Sequence, residues 1–166
     1  MLITAAAARL NAAARLILRD PELARDAVQN TLLRAWRDLP GLRDPDRFDA
    51  WLHRLLVHSS LDEARRRRRR PIEVEITQID EPATGDTSRE LADRELVERA
   101  LNRLAPEHRA LVVLHYYLGY PLPEAASSLG ISLPTAKSRL HRAMDGLRRS
   151  MTVDAFAVPL ERGGTA

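Results

Sequence analysis

An all-α fold, two small helical domains on either side of a flexible acidic linker, is what this 166-residue sequence predicts. Apolar residues recur at three- and four-residue spacing through most of the chain, the mark of helices with one buried stripe. Pro and Gly punctuate that pattern where helices start and stop. The periodicity lapses over 71–88, "PIEVEITQIDEPATGDTS", where Pro71, Pro82 and Gly85 stand among acids, as in a linker. The organisation expected is a first domain over 1–70, a linker over 71–88, a second domain over 89–150 and a short tail over 151–166.

The Ala-rich start supplies a helix with Leu10, Ala14, Ile17 and Leu18 facing inward. Asp20-Pro21 opens the next, because aspartate caps free N–H groups and proline suits the first helical position. Its expected inner stripe is Leu23, Ala27, Val28, Thr31, Leu32, Ala35 and Trp36, and Pro40-Gly41 ends it. Asp44-Pro45 repeats the start signal. Phe48, Trp51, Leu52, Leu55 and Leu56 then form the stripe of a third helix, which runs on into "DEARRRRRR", 62–70. Both tryptophans sit on apolar stripes and are expected in the core. "IEVEI" alternates as a strand would, but it lacks a partner and reads as extended linker. After the linker, Leu91, Leu96, Val97, Ala100, Leu101 and Leu104 resume the helical period. Ala105-Pro106 restarts a helix through Leu111, Val112, Leu114 and Tyr117, closed by Gly119, with Tyr116 and Tyr117 expected at the core or its edge. A short helix at about 122–129, a turn at Gly130–Ser132 and a long basic helix complete a helix-turn-helix.

Composition narrows the chemistry. The chain has no cysteine, hence no disulfide, thiolate nucleophile or cysteine metal site. No apolar run approaches the roughly 20 residues of a membrane span, and the N-terminus lacks the pattern of a secretory signal. A cytoplasmic protein without membrane insertion is expected. The histidines lack metal spacing, and no Ser/His/Asp set, carboxylate pair or phosphate-cradling glycine loop stands out. Enzymatic activity, a small-molecule substrate, a cofactor and a metal are therefore not expected. The net charge of +3 conceals an asymmetry: 15 Arg against 9 Asp/Glu over 1–70, 3 against 9 over 71–100, and 8 Lys/Arg against 5 acids over 101–166. Two basic segments around an acidic one suggest two polyanion-facing modules.

In "GISLPTAKSRLHRAMDGLRR", 130–149, Gly130 suits the positive φ of a helix C-cap. Ser132 can cap the next helix, and Pro134 in its first turn gives up no intrahelical bond. Leu133, Ala136, Leu140, Ala143 and Leu147 then face inward. Thr135, Lys137, Ser138, Arg139, His141 and Arg142 are left on the other faces. In such motifs the start of the second helix reaches base edges in the major groove while flanking cations hold phosphate. The arginine run adds salt-sensitive phosphate binding. Taken alone, these residues leave several readings open: a solvated amphipathic helix, a stand-alone helix-turn-helix repressor or activator that binds DNA by itself, and a basic protein for anionic membranes.

Three stretches together resemble the sigma-70 family of bacterial transcription initiation factors: "RDAVQNTLLRAWRDL" (25–39), "FDAWLHRLLVHSSLDEARRRRRR" (48–70) and "LNRLAPEHRALVVLHYYLGYPLPEAASSLGISLPTAKSRLHRAMDGLRR" (101–149). The likeness is to the extracytoplasmic-function group, which keeps only sigma domains 2 and 4. It implies sigma domain 2 over 1–70 and sigma domain 4 over 89–150. The function implied is promoter-specific initiation with bacterial core RNA polymerase, by recognition of −35 and −10 elements and help with strand opening. Asp26 and Gln29 match positions that contact the polymerase β′ clamp helices, with Asn30 and Arg34 on nearby turns. His58, Ser59, Asp62, Arg65 and Arg66 fall in the region that handles the −10 element and the melted strand. Thr135, Lys137, Ser138, Arg139 and Arg142 match the −35 recognition helix, and His141 lies beside them on the DNA-facing side. Domain 4 is also implied to bind the β flap. Besides polymerase and promoter DNA, the resemblance implies an anti-sigma protein that occludes both domains. The chain departs from the family pattern at Asn30 for glutamate, at His58 for asparagine, and at Leu122, Pro123 and Ala125 in the helix before the turn.

Overall fold

A computed structural model of the chain describes residues 2–69 and 88–157. The expected linker, apart from Ser88, and the last part of the expected tail lie outside these residues. Helices α1 (Leu2–Leu18), α2 (Pro21–Asp38) and α3 (Phe48–Arg69) pack mutually as a three-helix bundle. A second bundle holds α4 (Ser88–Asn102), α5 (Pro106–Val112), α6 (Leu122–Ser128) and α7 (Leu133–Ala157), with α7 against the other three. The described residues contain helices, turns and loops and no strand. Helix α7 runs on through Ala157, where a tail was expected from residue 151.

The punctuation behaves as its chemistry requires. Asp20 has extended backbone, and its Oδ1 accepts the N–H groups of Glu22 at 2.9 Å and Leu23 at 3.0 Å. Asp44 does the same for Asp46 at 3.1 Å and opens a 3-10 turn, Pro45–Arg47, that leads into α3. Gly119 and Gly130 adopt φ of +76° and +65°, a conformation open to glycine at no steric cost.

Helix α2 departs from its expected stripe. Its buried residues are Ala24, Ala27, Thr31 and Ala35, small side chains that let α1 and α3 approach closely. Leu32 and Trp36 fall outside that arc, and Trp36 is 84% exposed. Seven positions spread over nearly four turns describe too wide an arc for a neighbouring pair of helices to cover. Tyr116 and Tyr117 are likewise exposed. Helix α5 ends in a π-helical turn, Val113–Tyr117, closed by the Leu118 N–H on the Val113 carbonyl at 2.9 Å. That wider turn keeps Val113 and Leu114 inside and leaves the tyrosines outside.

The two bundles close on one another. Helix α5 touches both α1 and α3, and its buried Ala110, Leu111 and Leu114 join one apolar core with Leu10, Ile17, Val57 and Leu61. Each leucine buried there contributes roughly 1.5–3 kcal/mol. Polar contacts line the seam. Arg19 donates from Nε to the Asn102 Oδ1 at 2.9 Å and pairs with Glu98 at 3.1 Å. His53 Nδ1 lies 2.7 Å from the Tyr120 hydroxyl. His58 donates from Nε2 to the Ser128 carbonyl at 2.8 Å.

Candidate nucleic-acid interface

The turn between α6 and α7 is built from backbone bonds: Gly130 N–H to the Ser127 carbonyl and Ile131 N–H to the Ala126 carbonyl, both at 3.1 Å. Ser132 then caps α7. Its Oγ accepts the Thr135 N–H at 3.3 Å and lies 2.8 Å from the Thr135 hydroxyl. Ala125 and Ala126 of α6 and Ala136 of α7 are buried in one core cluster, so the two helices meet over methyl groups. Thr135, Lys137, Ser138 and Arg142 are exposed and Arg139 is half-buried. Among the described residues Lys137, Arg139 and Arg142 have no ion-pair partner, which leaves their donors available. His141 differs. Its Nε2 lies 3.2 Å from Asp145 Oδ2, on a carboxylate that Arg148 also approaches at 3.4 Å.

Helix α3 carries the second basic surface, and much of it is already neutralised. Asp62 stands between Arg34 at 3.2 Å and Arg65 at 3.3 Å. Glu63, largely buried, accepts from Arg66 at 2.8 Å and from the Asn30 Nδ2 at 2.9 Å. Arg67 pairs with Asp20 and Arg68 lies 4.0 Å from Glu107. Surface pairs of this kind contribute little individually. Ser59 is only 2% exposed; it lies one turn before Glu63, on the side of α3 turned to α2. His58 is exposed and bonded to the helix-turn-helix.

On α2, Asp26 and Gln29 are exposed and share a face with Leu33 and Trp36, at i, i+3, i+7 and i+10. Leu33 is 63% exposed beside the almost bare Trp36. Asn30 and Arg34 do not share that face, because their side chains reach across to α3. Sequence reasoning assigned Trp36 to the core and so missed this apolar strip; the only signal was how wide the expected stripe had become. It also missed His53. Burial, seconded by Arg9 and opposed by Asp49, holds the pKa of His53 below the usual histidine value, so a neutral ring faces Tyr120. Burial, with help from Asp49 and Glu124, raises the Tyr120 pKa, which keeps its hydroxyl protonated. Among the described residues no group of His, Asp and Glu could hold a metal, and no helix is long and apolar enough to cross a membrane.

Comparison with known proteins agrees with this geometry. The family profile described as "Sigma-70 region 2" matches residues 2–70, and "Sigma-70, region 4" matches residues 94–145. The RNA polymerase sigma-E factor of Streptomyces avermitilis is 34% identical over 150 residues, covering 90% of this chain and 83% of that protein. The chain belongs to the sigma-70 family. A second relative, the ECF RNA polymerase sigma factor SigL of Mycobacterium tuberculosis, is 38% identical over 135 residues, 80% of this sigma factor and 76% of that one. Among solved structures, the sigma factor RpoE in complex with the anti-sigma factor NepR, from Bartonella quintana, superposes with a TM-score of 0.73 at 25% identity, covering 92% and 95% of the two chains. CnrH in complex with the cytosolic domain of CnrY gives 0.63 at 28% identity, over 92% and 86%. The chain is thus a sigma factor of the extracytoplasmic-function group, which directs promoter-specific transcription by RNA polymerase.

Proposed function

We propose that this sigma factor works by binding and strand capture, without covalent chemistry of its own, in the cytoplasm, and that its described closed form must open to do so. Domain 2, over 1–70, docks on the β′ clamp helices through Asp26, Gln29, Leu33 and Trp36. Asn30 and Arg34 support that face from behind by fixing α2 to α3. Domain 4, over 89–150, binds the β flap and lays Thr135, Lys137, Ser138, Arg139 and Arg142 in the −35 major groove, with His141 at its margin. His58, Asp62, Arg65 and Arg66 of α3 handle the −10 element. Bases flipped from the duplex gain stacking and polar contacts there that paired bases lack. Ser59, buried against α2, acts on this surface only by packing.

The observation that carries this reading is the contact between His58 and the Ser128 carbonyl. It joins α3, which carries the residues proposed for the −10 element, to α6 of the helix-turn-helix. Elements about 25 base pairs apart lie roughly 85 Å apart at 3.4 Å per pair, which a closed chain cannot span. The 71–88 linker, at up to about 3.3–3.6 Å per residue, adds roughly 60 Å of reach once the domains separate. An anti-sigma protein, like those bound to the similar RpoE and CnrH, would act by keeping these surfaces covered. Run-off transcription with core polymerase on fragmented genomic DNA tests the proposal. Transcripts starting downstream of one shared −35/−10 pair are expected, and transcripts identical to those of core polymerase alone would overturn it.

A further inference from the structure

Between α3 and the helix-turn-helix lies a cleft of about 560 Å³, within the roughly 300–1,000 Å³ typical of small-molecule sites. Arg65 enters it from α3, Glu107 and His108 from α5, and Arg139 and Arg142 from α7. Three arginines from two domains and a single acidic residue therefore line it, and the Glu107 carboxylate lies 4.0 Å from Arg68. Asp62, the partner of Arg65, is shared with Arg34. Asp145 on α7 is taken by His141 and Arg148. Arg139 and Arg142 have no ion-pair partner among the described residues.

The same seam buries another cation. Arg109, next to His108, is 7% exposed, and its Nε has no hydrogen-bond partner among the described residues. Burial first, then the neighbouring Arg19 and Arg68, bring its pKa down to about 10, with Glu107 opposing. Arg109, Arg19 and Arg68 thus lie close enough to act on one another, beside a cleft lined by three more arginines. Like charges held together repel, and an anion in the cleft would relieve that repulsion.

We propose that the cleft binds an oligophosphate, free or carried by a nucleotide, which bridges Arg65 of α3 to Arg139 and Arg142 of α7 and holds the sigma factor closed. The planar guanidinium fork matches phosphate oxygens two at a time, and several linked phosphates can satisfy forks from both domains together. Ile131, also lining the cleft, offers a nucleobase an apolar surface. The effect on transcription rests on the promoter reading above; the binding itself does not.

Titration calorimetry on the full chain, without magnesium and at constant ionic strength, tests this with sodium tripolyphosphate, ATP and sulfate. Saturable one-to-one binding of tripolyphosphate is expected, with sulfate much weaker. Arg65→Ala and Arg142→Ala should each weaken it at least tenfold, whereas Arg148→Ala, on the same helix outside the cleft, should change it less than twofold. All three side chains are exposed, and circular dichroism melts check that the variants fold. Equal ATP and tripolyphosphate affinities assign recognition to the phosphate chain, and tighter ATP binding assigns it to a nucleotide. Equal losses in all three variants, loss from one domain only, or unsaturable binding would overturn the proposal. Since neither polymerase nor promoter is present, a failure of the promoter reading would leave this result untouched.

Discussion

Trp36 offers the sharpest test of how α2 is used. A tryptophan in a folded protein normally buries about 150–250 Å², yet this one is 84% exposed. Roughly 130–210 Å² therefore remains for a partner to cover. At about 25 cal/mol per Å² that area corresponds to a ceiling of roughly 3–5 kcal/mol. Alanine keeps part of the contact, so Trp36→Ala should cost about 2–4 kcal/mol of core-polymerase binding, in the range of interface hot spots, or roughly 30- to 700-fold in Kd. The free chain should hardly notice, because the ring contributes little to its packing; the urea midpoint should correspond to a change within about 0.5 kcal/mol. Fluorescence anisotropy of labelled sigma factor titrated with core polymerase measures the first quantity and equilibrium unfolding the second. An unchanged Kd, or a stability loss as large as the binding loss, would refute the docking face.

Arg139→Ala should cost about 1–3 kcal/mol of promoter binding if its fork reads a base edge, and should relax −35 preference in transcription from a randomised −35 library; preserved selectivity would remove it from the reader. Asn30→Ala takes a hydrogen bond from the largely buried Glu63 carboxylate, so it should lower stability by about 1–2 kcal/mol while core-polymerase affinity stays within twofold. His53 makes stability pH-dependent with a definite sign. Its folded-state pKa lies below the ordinary value near 6.5, so the unfolded chain binds more protons and stability falls as pH drops through about 6.5, levelling below the folded pKa. Urea midpoints at pH 7.5 and 5.5 should therefore differ more for the native chain than for His53→Gln, and equal differences would contradict a neutral buried ring.

Local chemistry was legible in the sequence because it is short-ranged. Asp20-Pro21, Asp44-Pro45, Gly119 and Gly130 each act within a few residues, and each does what its side chain or missing Cβ dictates. The polar face of α7 was legible for the same reason, since Ala136 and Ala143 fix which side is buried. What escaped the sequence depends on partners far along the chain. Arc width on α2 is decided by how closely α1 and α3 approach its alanines, which periodicity does not encode, so Trp36 was misassigned. His53 meets Tyr120 and His58 meets Ser128 across about seventy residues, with no local signal for either pair. Ser59 and Asn30 were read from a motif position, which fixes the turn of the helix but not which neighbour covers it.

The junction between α1 and α2 turns on Arg19, whose φ of 57° is the one positive value among the described non-glycine residues. An L-residue in that region costs about 1–2 kcal/mol. In the closed chain Arg19 also holds Asn102 and Glu98 of α4, and opening removes both. The bend itself is held locally, by the Arg19 N–H on the Arg15 carbonyl at 2.8 Å. One residue thus serves two scales at once: its backbone turns the chain between α1 and α2, and its side chain fastens that corner to α4.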